Sequence, residues 1–94
     1  MEIKDNTFSR QFETSVGDKL ITLEYSFQEK KIFLTRLNIP EDFDDEAFIN
    51  DFLKEILQRA EDNKLKVVPI FPKIAAFFRK NPIYKHLLPP GIRI

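Results

Sequence analysis

The forty residues from Lys31 to Ile70, KIFLTRLNIPEDFDDEAFINDFLKEILQRAEDNKLKVVPI, decide the fold. Lys31 to Ile39 is rich in β-branched and aromatic residues and ends at Pro40, which predicts a strand. Beyond an acidic loop, Phe48, Ile49, Phe52, Leu53, Ile56, Leu57 and Ala60 recur three and four apart. That spacing puts them on one face of an amphipathic helix. Leu65 to Val68 is a short apolar run closed by Pro69, which predicts a second strand. Strand, helix and strand over this length make a βαβ unit, whose crossover is right-handed and whose strands are parallel.

Working outward, Thr7 to Val16 alternates, with Phe8, Phe12 and Val16 set against Ser9, Gln11 and Glu13. Leu20 to Phe27 alternates too, with Ile21, Leu23, Tyr25 and Phe27 on one side. Turn residues around Gly17 and a polar run Gln28 to Lys31 separate these segments, so the three strands form an antiparallel meander. On the far side, Pro72 suits the first position of a helix over Lys73 to Lys80, with Ile74, Ala75, Phe77 and Phe78 as its apolar face. Pro82 stops it, Ile83 to Leu88 predicts another helical turn, and Asn63 is read as a left-handed cap on the long helix. The expectation is one α+β domain over residues 1–94: a mixed sheet of about four strands packed with two helices.

Composition narrows the function classes. Fifteen basic and fifteen acidic residues balance, so no net field draws the chain to nucleic acid or an anionic membrane. Ten Phe and 43% hydrophobic residues describe a packed core. The absence of cysteine removes disulfides and thiolate metal sites and fits a cytoplasmic setting. No signal peptide is read at Met1–Asn6, and no apolar run reaches membrane-spanning length.

Several short strings occur in an order that resembles the GNAT (acetyl-CoA-dependent N-acetyltransferase) superfamily, in its small single-domain branch. They are Asn38-Ile39-Pro40, then Lys66-Val67-Val68-Pro69-Ile70-Phe71-Pro72, then Ala75-Ala76-Phe77-Phe78 and Asn81-Pro82-Ile83-Tyr84. The resemblance spans roughly Thr7 to Leu88. It implies acetyl-CoA or coenzyme A as cofactor, with Asn38, Ile39 and Pro69 backbone groups holding the acetyl and pantetheine amides. The family's Arg-Gly-x-Gly, which admits the coenzyme pyrophosphate at the helix N-terminus, falls on Asp44, Asp45, Glu46 and Ala47. A carboxylate about 6 Å from a phosphate charge costs roughly 3 kcal/mol at an effective dielectric near 20. The same acids can satisfy the helix N–H groups and its dipole from within.

Two further family positions have changed. Phe71 stands where many members of this branch carry a cysteine, and Phe77 where relatives often have tyrosine, so no catalytic residue is assigned. The resemblance therefore implies an inactive or strongly altered descendant acting as a binding or scaffold module. Its alternative is an active enzyme moving acetyl directly from acetyl-CoA to an amine. The Asp44–Glu46 loop is the candidate surface for a cationic protein or small molecule. A capping role for its acids is the expected one rather than metal binding. His86 and Tyr84 are assigned to surface and packing.

Overall fold

A computed structural model describes all residues, Met1–Ile94. The chain runs β1 (Lys4–Asn6), β2 (Gln11–Val16), β3 (Lys19–Gln28), β4 (Lys31–Asn38), α1 (Glu46–Asp62), β5 (Lys66–Pro69), α2 (Pro72–Lys80) and a 3-10 helix, Pro82–Leu87. The five strands form one sheet in sequence order. β1 to β4 are antiparallel neighbours, and β4 and β5 are parallel. The meander and the parallel crossover are thus as the pattern predicts, but the sheet has five strands instead of four. The extra strand, β1, is a polar tripeptide that carries no alternation of its own and exists by pairing Lys4 with Glu13 and Asn6 with Gln11.

One face of the sheet carries the core. Phe12, Ile21, Leu23, Tyr25, Ile32, Leu34, Leu37 and Val67 are buried together with Ile49, Phe52, Leu53, Ile56, Leu57 and Ala60 of α1. The α1 stripe matches its predicted spacing, with Phe48 half-buried at its border. α2 adds Ile74, Phe77 and Phe78, and the 3-10 helix adds Leu87. The opposite face is mostly polar, bearing Gln11, Glu13, Glu24, Ser26, Arg36 and Asn38. Over β4 and β5 that face is met by the C-terminal segment, whose Pro89, Pro90 and Ile92 share a pocket with Phe33 and Val68. Ile92 to Ile94 therefore forms no sixth strand.

Three local departures from the sequence reading have clear causes. Thr7 to Arg10 is a turn, because the Asn6 side chain accepts the Ser9 N–H at 3.1 Å and Arg10 takes φ +55°. Phe8 is consequently exposed, at 92%, where alternation had placed it inside. At the end of α1 the left-handed residue is Lys64 (φ +57°) and not Asn63, which sits at φ −93° and returns both its backbone and side-chain N–H groups to the Arg59 carbonyl. No helix is long and apolar enough to cross a membrane.

Candidate functional site

The end of β4, the start of α1 and the junction of β5 with α2 converge at one end of the sheet. β4 and β5 pair only from Lys31/Lys66 to Leu34/Pro69. Pro69 has no N–H to continue the ladder. The N–H groups of Ile70 and Phe71 then both turn onto the Leu34 carbonyl, at 3.1 and 3.2 Å, and α2 begins at once with Pro72. On the β5 side, β4 therefore continues from Thr35 to Asn38 without a paired strand.

This stretch of β4 is also bulged. Glu24 pairs with Arg36 and Tyr25 with Leu34, which leaves Thr35 as the extra residue. Its hydroxyl donates to the Glu24 carbonyl at 3.1 Å. Asn38 points to the polar face, where its amide donates to Glu24 Oε2 at 2.7 Å and to Thr22 Oγ1 at 2.9 Å. Ile39 is half-buried against the core, and Pro40 starts the loop with its carbonyl accepting the Phe43 N–H at 3.0 Å.

The acids of the loop do separate jobs. Asp45 is the N-cap of α1, and its Oδ1 accepts the Phe48 N–H at 3.1 Å. Its main-chain carbonyl accepts the Ile49 N–H at 3.3 Å. Glu46, the first residue of α1, lies 2.9 Å from the Lys73 ammonium in the first turn of α2. Asp42 pairs with Lys19 at the start of β3, and this hydrogen bond holds its carboxyl below the usual carboxylate range. Asp44 and Glu41 are exposed and make no ion pair, and Ala47 is exposed in the first turn. No three acidic or histidine side chains gather into a cluster that could hold a metal ion.

Aromatic residues line the surroundings of this end. Phe43 stacks edge-on against Phe48, ring centroids 5.9 Å apart, closing the apolar side of the loop. Phe71 is half-buried against the core. Phe77 is buried and packs on Tyr84 with centroids 5.8 Å apart. His86 lies away from these groups. Its Nε2 is 3.4 Å from Glu61 and its Nδ1 2.8 Å from the Ile83 carbonyl, in a surface position on the 3-10 helix.

The structure thus brings Asn38, Ile39, Asp44, Asp45, Glu46, Ala47, Pro69 and Phe71 to one region. Sequence reasoning missed Lys19, Lys73 and the Thr35 bulge. Both lysines lie more than twenty residues from their partners, and only tertiary packing joins them. A family described as GCN5-related N-acetyl-transferase matches the chain over residues 11–87. No curated protein matches it.

Proposed function

Because the chain belongs to the GCN5-related N-acetyltransferase family, we propose that it keeps the family scaffold without its coenzyme and works as a non-catalytic binding module. The observation that carries this reading is the Asp45 carboxylate on the Phe48 N–H. A helix N-terminus attracts a phosphate through its open N–H groups and its dipole. In this chain an internal anion is already there. The cation that the fold brings to this helix end, Lys73, is engaged by Glu46. A diphosphate would add its charge beside Asp44, Asp45 and Glu46 with no arginine or glycine to receive it. The donor set does not fit the group.

One observation favours a second reading, direct acetyl transfer from acetyl-CoA to an amine. On its β5 side, β4 runs without a paired strand from Thr35 to Asn38, which is the gap that admits the pantetheine arm in relatives. Asn38 and Ile39 stand at its edge. Isothermal titration with acetyl-CoA and with coenzyme A separates the two readings. The binding-module reading expects no saturable heat. Binding tighter than roughly 100 μM, more than about 5 kcal/mol, would overturn the first reading and revive the second, which an acetyl-transfer assay then tests.

A further inference from the structure

The face of the sheet turned away from α1 carries a second surface, where the C-terminal segment meets β4 and β5. Two clefts of about 410 and 450 Å³ adjoin there and share Pro89, Pro90 and Ile92 as a common wall. Phe33 and Val68, cross-strand neighbours, give the first an apolar floor. Ile92 on the wall is 39% exposed, a large apolar side chain left in water. The wall is held in shape. The Ile92 N–H returns to the Pro89 carbonyl at 3.2 Å with Gly91 at φ +91°, a tight turn that proline enters and glycine permits. On either side of that turn, Leu88 and Ile94 pack against the core.

Charge at this surface has one sign. Lys31 lines the first cleft, Lys85 and Arg93 the second, and no Asp or Glu side chain lines either. None of the three cations forms an ion pair within the chain. β4 and β5 both open on lysine, and their register sets Lys31 beside Lys66 on the face that carries Phe33 and Val68. The Lys66 ammonium reaches the His86 carbonyl at 3.0 Å instead of a carboxylate. Like charges on facing positions cost stability. The chain has fifteen acids to set against them, yet none lines these clefts. By contrast, the cleft beside Lys73 includes Glu46, and the one beside Arg59 includes Asp5.

We propose that this surface docks an acidic peptide segment of another protein, with carboxylates on Lys31, Lys85 and Arg93 and an apolar side chain over Phe33 and Val68. The occupant follows from the lining. Cations around an apolar floor complement an acidic segment that carries an embedded hydrophobic residue. A nucleic-acid strand would meet the cations, but its phosphates gain nothing from valine, isoleucine and proline, and Phe33 is the one aromatic ring for a base to stack on. A single small carboxylate would fill one cleft and leave the cations of the other unmet. The surface lies on the sheet face away from α1, so the proposal stands apart from the coenzyme site.

Fluorescence anisotropy with a panel of labelled peptides tests it. Asp- and Glu-rich peptides of about ten residues, each with one central Leu, Ile or Phe, should bind reversibly and more weakly as salt is added. Their Asn and Gln counterparts should not bind. Lys31→Glu combined with Arg93→Glu should weaken binding at least about tenfold. Lys31→Glu also turns the Lys31–Lys66 repulsion into an attraction, so this variant should stay folded. Lys54→Glu, exposed on α1, should leave the affinity within about twofold. Amide shift changes on binding should fall on Phe33, Val68 and Ile92 and spare Asp44 and Asp45. The proposal is overturned if no acidic peptide of the panel binds tighter than about 1 mM, or if an oligothymidylate of the same length binds equally well. Affinity indifferent to the double variant, or shift changes confined to other surfaces, would overturn it too.

Discussion

The Lys73 ammonium lies 2.9 Å from one carboxylate oxygen of Glu46 and 3.4 Å from the other, joining the first residue of α1 to the first turn of α2. Both side chains remain substantially exposed, at 40% and 66%. Water and salt screen such a pair, and its contribution to stability is about 0–1 kcal/mol. A double-mutant cycle with Glu46→Gln and Lys73→Met in urea should therefore return a coupling below about 1 kcal/mol. A coupling above about 2 kcal/mol would mean the pair is far better shielded than its exposure indicates.

Asp45 should matter more than that ion pair. It satisfies a main-chain N–H that α1 cannot satisfy internally. Asp45→Ala should cost about 1 kcal/mol, and Asp45→Ser much less, because serine restores an acceptor. In a domain of this size the alanine variant should melt about 4–8 °C lower. Equal melting of wild type and Asp45→Ala would show that the cap carries no weight.

Restoring the family residues offers a gain-of-function test. Asp44→Arg with Asp45→Gly removes two like charges from the α1 N-terminus and supplies one cation. Coenzyme A affinity should rise at least about tenfold by calorimetry, and the gain should shrink as salt is added. Glycine at the cap costs only a few tenths of a kcal/mol, so the variant should stay folded. A folded variant with no gain would move the obstruction from charge to shape, with Phe71 as the side chain to truncate next.

Tyr25 sets an alkaline limit on the fold. Its hydroxyl is pushed up to about 12, first by burial and then by its hydrogen bond to Asp5 and that carboxylate's charge. The folded state therefore holds this proton more tightly than the unfolded chain, whose tyrosine titrates near 10. The resulting stability is fully present below pH 10 and is lost as pH rises from there through about 12. Ultraviolet titration should resolve Tyr25 as the late-ionising tyrosine. Tyr25→Phe should be about 1 kcal/mol less stable at neutral pH, with the difference closing across that alkaline window. A difference that stays constant to pH 12 would contradict the assignment.

The parts of this fold that were legible beforehand are those where the pattern repeats. α1 shows three- and four-residue spacing over four turns, so its six buried positions were all named from spacing alone. The β2–β3 and β3–β4 connections are short and polar, which left the meander little freedom. β1 was invisible because its strand character comes from hydrogen bonds to β2 and not from Lys4, Asp5 or Asn6 themselves. Phe8 departs from the alternation because the Asn6 side chain nucleates a turn between β1 and β2. At the candidate site, the Asp45 cap was readable from residue type and position. The ion pairs of Asp42 and Glu46 were not, since Lys19 and Lys73 carry no local sign of their destination.

The extra residue at Thr35 interrupts the in-and-out alternation of β4. Ahead of it Ile32 and Leu34 face the helices, and three positions on, instead of two or four, Leu37 does so again. Deleting Thr35 would close the bulge into a regular ladder with Leu37 still opposite Leu23 on the helix-facing side and Asn38 still opposite Thr22, so what the extra residue contributes is a bend and added twist in the strand and not the placement of these side chains.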